Sequence, residues 1–132
     1  MSKNKLAKIM TIAGSDSGGG AGIQGDIKTI SSLGGYATSA ITAITAQNTL
    51  GVKSILNIPI NMIEEQITVI LEDIGTDAIK IGMLSNEKII HCVTKVISTL
   101  KKKIPIVLDP VMVAKGGHKL LDKGAEKALI NK

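Results

Sequence analysis

The sequence predicts an α/β fold, a mostly parallel central sheet flanked by helices, as a single domain over residues 1–132. Three observations predict it. Short apolar runs alternate with amphipathic segments along the chain, which is the pattern of βα units. The run Ile104–Leu108 is apolar throughout, as suits a strand buried on both faces. Glycines or polar residues close the apolar runs at four places, where the strands of a layered α/β fold share one edge.

Taken in order, Leu6–Ala13 reads as the first strand and Gly14–Gly20 as a glycine-rich loop. A helix over about Ala21–Leu33 follows, stopped by Gly34-Gly35. The small apolar residues of Ala37–Ala46 form the next strand, and Leu50–Ile58 a further extended segment ended by Pro59. Asn61 and Glu64 have capping-box spacing. The helix they introduce carries Ile63, Ile67, Ile70, Leu71 and Ile74 on one face and breaks at Gly75. Asp77–Gly82 is a short strand. Ser85 is placed to cap a helix whose apolar stripe is Ile89, Ile90, Val93, Val96, Ile97 and Leu100. The strand Ile104–Leu108, a loop at Lys115–Gly117 and a helix after Leu121 complete the reading.

Composition excludes several function classes. Hydrophobic residues make up 44% and charged residues 20%, which argues against disorder. With one Tyr and neither Phe nor Trp, the core is aliphatic. The net charge of +5 does not indicate nucleic acid, because all 16 basic residues are Lys. Arg forks for phosphate or guanine are absent, and so are aromatic platforms for bases. The triplet Lys101–Lys103 falls where a helix is expected to end, where cations complement the dipole. The single Cys excludes an internal disulfide framework and a zinc-finger spacing. The apolar stretch Ile9–Ala13 is too short for a secretory signal, and no run reaches membrane-span length. The expectation is a cytoplasmic protein.

The strand ends hold the polar residues. They are Gly14-Ser15-Asp16, Gln47-Asn48, Gly82-Met83 and Asp109-Pro110, at the edge where parallel sheets bind ligands. Such ends are also polar for solvation alone. The loop begins like a P-loop at Gly14 and Gly19, but Gly20 and Ala21 stand where Lys and a hydroxyl residue are required. Gly20-Ala21-Gly22-Ile23-Gln24-Gly25 matches a dinucleotide fingerprint formally. It lies beyond the strand tip, however, and no Asp or Glu occurs between Asp26 and Glu64 to hold a ribose. Five glycines within Gly14–Gly22 are costly in a mere connection. They are expected to bring backbone N–H groups to a ligand at a helix start. Asp26 has two open readings: an exposed acid in the first turn, or an inward acceptor for a ligand amine or hydroxyl. His91 reads as a surface residue, Cys92 as a packing residue and His118 as a loop residue; no metal cluster is evident.

Four segments together, TIAGSDSGGGAGIQGDIKT, SAITAITAQNTLGV, DAIKIGML and VLDPVMVAKGG, extend from about Thr11 to Leu121. In that order they resemble the signatures of hydroxymethylpyrimidine and phosphomethylpyrimidine kinase, a thiamine-biosynthesis family of the ribokinase-like superfamily. The resemblance implies a ribokinase-like fold and magnesium-dependent transfer of the ATP γ-phosphoryl group to the pyrimidine hydroxymethyl oxygen. A second transfer, to the monophosphate, follows. It implies that Gln47 hydrogen-bonds the aminopyrimidine, whose donors and acceptors an amide can match, and that Asp26 addresses the ring's other polar edge. Gly14, Ala21 and Met83 would line the same pocket. Asp109 would stand near metal and phosphates, and Lys115 would neutralise phosphate charge. The resemblance also implies a homodimer.

The sequence departs from the family pattern in one main respect. Family members run well beyond this length, and their C-terminal part carries a Gly-Thr-Gly-Cys or Gly-Thr-Gly-Asp anion hole with the catalytic base. No Gly-Thr-Gly occurs here, and Gly75-Thr76-Asp77 is only a superficial echo. The expectation is an N-terminal portion that binds substrate, holds no catalytic base, is inactive alone and tends to self-associate. Gly25 also stands where Ala is expected. Pyridoxal kinase, a non-catalytic ligand-binding fragment and a dinucleotide oxidoreductase are the alternatives.

Overall fold

The computed structural model describes residues 5–113, 117, 119–121 and 124–130. Five strands form one sheet: β1 (Lys8–Asp16), β2 (Tyr36–Asn48), β3 (Gly51–Asn57), β4 (Ala78–Ile81) and β5 (Ile106–Leu108). Their order is β3-β2-β1-β4-β5. β1 pairs in parallel with β2 and β4, and β4 in parallel with β5, whereas β3 returns antiparallel along β2. The helices α1 (Gly22–Ser32), α2 (Ile60–Glu72), α3 (Glu87–Ser98) and α4 (Ala125–Ile130) complete the described elements.

Alternation along β1 separates two layers. Met10 and Ile12 enter the main core with Ile63 and Ile67 of α2, Ile79 and Ile81 of β4, and Ile89, Ile90 and Val93 of α3. Each fully buried Ile of this group contributes roughly 1.5–3 kcal/mol of apolar transfer. Thr11 points to the opposite face, where its hydroxyl donates to Asp26 of α1 at 2.5 Å. The first half of β2 is not paired by β3, and α2 covers that edge. Gln66 accepts from the Ile41 N–H at 2.9 Å and donates to the Ile41 carbonyl at 3.1 Å, a side chain standing in for a strand.

Several boundaries differ from expectation. β1 continues to Asp16 because Ser15 and Asp16 pair with Ile44 and Thr45 after a register shift. The capping box at Asn61 does not form. Pro59 is the N-cap of α2 and makes no side-chain cap bond, so Asn61 falls inside the helix. Asn86 caps α3 by accepting from the Ile89 N–H at 3.0 Å. Ser85, the expected cap, instead donates to Asn57 Oδ1 at 2.6 Å. β5 is shorter than Ile104–Leu108 and is not buried. It pairs on one side only among the described residues, with Ile106, Val107 and Leu108 exposed by 47%, 60% and 43%. No described helix is long and apolar enough to cross a membrane.

The start of the sheet is tied by a reciprocal pair. The Lys8 N–H donates to Asp77 Oδ2 at 2.9 Å, and the Asp77 N–H donates to the Lys8 carbonyl at 2.7 Å. The bond from the Lys8 N–H holds the Asp77 carboxyl below its usual 3.8. A lowered folded pKa adds stability above the unfolded value and loses it as pH falls through the folded one. Asp77→Asn should therefore flatten the acid limb of stability below about pH 4, read by denaturant midpoints across pH. Ile67→Ala should cost about 2–5 kcal/mol in denaturant melts, while Val69→Ala on the exposed side of α2 should stay within about 0.5 kcal/mol.

Candidate active site

Four strands, β2, β1, β4 and β5, deliver their carboxyl ends to one edge. The ends are stitched together: the Gly82 N–H donates to the Ile12 carbonyl at 2.9 Å and the Asp109 N–H to the Ile81 carbonyl at 2.8 Å. A cavity of about 440 Å³ opens there. Gly14, Ala21, Asp26, Gln47, Met83 and Asp109 all line it. Every site residue singled out in the sequence is thus brought to this cavity, apart from Lys115, which with His118 lies outside the described residues.

One backbone position requires glycine, and a second packs tightly against a side chain. Gly22 sits at φ +56, and a Cβ there would lie 2.3 Å from the Gly14 carbonyl oxygen. A Cβ at Gly14 would come within 3.1 Å of Met83 Sδ. The Gly14 and Gly22 backbone and the Met83 thioether thus meet at close range in the lining of the cavity.

Asp26 faces inward. Its side chain is 19% exposed, and Oδ2 accepts from Thr11 and, at 3.0 Å, from Lys80 Nζ. Lys80 also stands 3.9 Å from Asp109 Oδ2, whose side chain is 59% exposed. Thr11 and Lys80 are register partners on β1 and β4, which is why both reach the same carboxylate. Lys80 was absent from the sequence-based site. Its signal is a cation between Ile79 and Ile81 in a strand facing helices on both sides.

Asp16, read in the sequence only as one of the polar residues at a strand end, changes the meaning of the glycine-rich loop. Only 6% exposed, its carboxylate accepts from the Gly18 N–H at 2.7 Å on Oδ1. On Oδ2 it accepts from the Gly20 and Ala21 N–H groups at 3.0 and 2.9 Å. Three of the N–H groups expected to meet a ligand are directed at this internal anion. Gln24 braces the turn by accepting from the Asp16 N–H at 2.8 Å and donating to Ser15 Oγ at 2.7 Å. Ser17 Oγ donates to the Gln47 carbonyl at 2.6 Å and accepts from the Gln47 N–H at 2.7 Å, tying the loop to β2. The Thr45 hydroxyl donates to the Ser15 carbonyl at 2.8 Å and lies 3.2 Å from Gln47 Oε1.

His91 is on the surface, 3.3 Å from Glu87, and Cys92 is buried, with burial pushing its thiol pKa up. Among the described residues no group of three or more His, Cys, Asp or Glu is placed to hold a metal ion.

A hydroxymethylpyrimidine/phosphomethylpyrimidine kinase of Haemophilus influenzae is 50% identical over 129 residues, covering 98% of this chain and 48% of its own. The crystal structure of a phosphomethylpyrimidine kinase from Clostridium difficile 630 superposes with a TM-score of 0.86 at 47% identity, over 94% of this chain and 53% of that one. A Staphylococcus aureus pyridoxal kinase in complex with pyridoxal gives a TM-score of 0.83 at 38% identity, over 97% of this chain and 45% of that one. The chain spans about half the length of the relatives it matches, and the fold is ribokinase-like. Residues 16–132 match the family described as Phosphomethylpyrimidine kinase. Because that match begins at Asp16 and takes in the loop, α1 and every element after it, the chain belongs to the phosphomethylpyrimidine kinase family.

Proposed function

We propose that this chain provides the substrate-binding part of an ATP-dependent kinase in thiamine biosynthesis. Its substrates are 4-amino-5-hydroxymethyl-2-methylpyrimidine and the corresponding monophosphate. The observation that carries this reading is the convergence of Gln47, Asp26, Gly14, Ala21, Met83 and Asp109 on one cavity. The Gln47 amide offers the donor and acceptor that an aminopyrimidine edge requires. Asp26, oriented by Thr11 and Lys80, offers a fixed acceptor on the other side of β1. Gly14, Ala21 and Met83 form the surface on which the ring lies.

The spacing of the strands suits such a ligand. From the end of β2 to the end of β5 is three inter-strand steps, roughly 14 Å. That length accommodates a ring against Gln47 and a hydroxymethyl or phosphate tail directed toward Asp109. Asp109 would be the carboxylate for Mg²⁺, an ion that takes one or two carboxylates and fills its remaining positions with phosphate and water. The exposed Asp109 side chain fits that use. Mg²⁺ bound with ATP supplies charge neutralisation at the transferring phosphoryl group. Lys115 adds a phosphate-neutralising cation on the resemblance alone, and no residue of this chain is assigned as the catalytic base. The complete enzyme is read as a cytoplasmic homodimer with no nucleic-acid partner.

A pyridoxal kinase reading is favoured by one observation, the likeness to the Staphylococcus aureus enzyme. Competition between pyridoxal and hydroxymethylpyrimidine for the chain separates the two. Detectable ATP turnover by the isolated chain would exclude a non-catalytic binding role.

Calorimetric titration with hydroxymethylpyrimidine should give saturable binding. Gln47→Ala should weaken it about tenfold or more, since a polar ring edge is left without its partner. A folded chain that binds no pyrimidine, or binds it equally well without the Gln47 amide, contradicts the proposal.

A further inference from the structure

We infer that Asp16 is a positioning residue whose carboxylate occupies the anion place of the glycine-rich loop, making that loop a rigid wall for a neutral ring and not a phosphate cradle. Backbone N–H groups converging at a helix start normally attract an external anion. Here the Gly18, Gly20 and Ala21 N–H groups converge on a side chain that the same loop supplies. Ala21 is the N-cap of the 11-residue α1, and no side-chain cap bond is made there. The buried Asp16 carboxylate therefore also meets the positive end of that helix.

Three features make this a built arrangement. Asp16 is buried, 6% exposed, so its charge is stabilised chiefly by these donors. Its own N–H is held by Gln24 at 2.8 Å, which fixes the direction from which the side chain enters. Gly18 leaves the space: a Cβ there would stand 3.1 Å from Asp16 Oδ1. Hydrogen bonds to an ionised acceptor are about twice as strong as neutral ones, so the loop between β1 and α1 is held by its most favourable contact. Asp16, Gly20, Ala21 and Gly22 all line the cavity.

The consequence for the ligand is orientation. A phosphate brought to this loop finds three donors taken and a fixed negative charge in place. The phosphate of the monophosphate substrate is therefore directed along the strand ends toward the Lys80 cation, and the neutral ring lies against the loop. This orientation rests on the pyrimidine-kinase reading; the role of Asp16 in the loop does not.

Chemical rescue tests the inference on the full 132-residue chain. Asp16→Gly removes the carboxylate and leaves room for a small anion. Amide exchange at Gly18, Gly20 and Ala21, followed by NMR, should accelerate in this variant and slow again on titration with formate, but not with its neutral counterpart formamide. Affinity for hydroxymethylpyrimidine should fall by about tenfold and recover with formate alone. Asp16→Asn keeps the shape, so it decides the matter if the glycine variant does not fold. It should lose protection at these amides and show no formate rescue, because the carboxamide fills the space. Amides in either folded variant that exchange as in the parent chain overturn the inference, as does a folded Asp16→Gly chain indifferent to formate. If the parent chain binds no pyrimidine, the kinase reading falls and the amide measurements still decide the role of Asp16.

Discussion

β1 has a parallel neighbour on each side, and a parallel strand cannot reach its partner by a tight turn. The chain must cross over a face of the sheet and re-enter from the same end each time. In this protein α1 and the segment containing α2 make those crossings. The outcome is geometric: β1, β2, β4 and β5 all release their chains at one edge. Residues far apart in sequence, Asp16, Gln47, Met83 and Asp109, become lining residues of one cavity without any of them needing a long loop.

Within that edge, two acids are kept out of bulk water by different means. Asp16 is matched by three main-chain N–H groups of the loop that follows it. Asp26 is matched by Lys80 and Thr11 through Oδ2, and its side chain keeps some access to the cavity. Lys80 sits between Asp26 and the more exposed Asp109, so one cation links two carboxylates that line the cavity. Pairs this close to solvent are modest in stability. Their value lies in fixing where each carboxylate points.

Much of the fold was legible because hydrophobic periodicity reports directly on which face is covered. The stripes of α2 and α3 and the stop at Gly75 appear where the pattern put them. The misreadings have physical causes. Capping spacing at Asn61 lost to Pro59, whose restricted backbone starts α2 earlier. The apolar run Ile104–Leu108 reads as a buried strand, yet composition does not reveal that β5 lies at the sheet edge. The gathering of strand-end residues at one edge was legible because topology alone brings them together. Asp16 and Lys80 were not, because their roles depend on where a buried charge finds its partner. The signs available were an acid immediately before a run of glycines and a lysine inside an apolar strand.

The central claim is that a pyrimidine ring lies on Met83 and Gly14 at this edge, and the near absence of aromatic residues makes it directly measurable. With one Tyr and five Met in the chain, an added aromatic ring is the dominant new source of ring-current shifts at the methionine methyls. Methyl NMR of the methionine-labelled chain, titrated with hydroxymethylpyrimidine, should move the Met83 resonance saturably. Met10, in the opposite layer, and Met62, on α2, should stay still. Saturable binding that shifts Met62, or leaves Met83 unmoved, would put the ligand elsewhere and contradict the account.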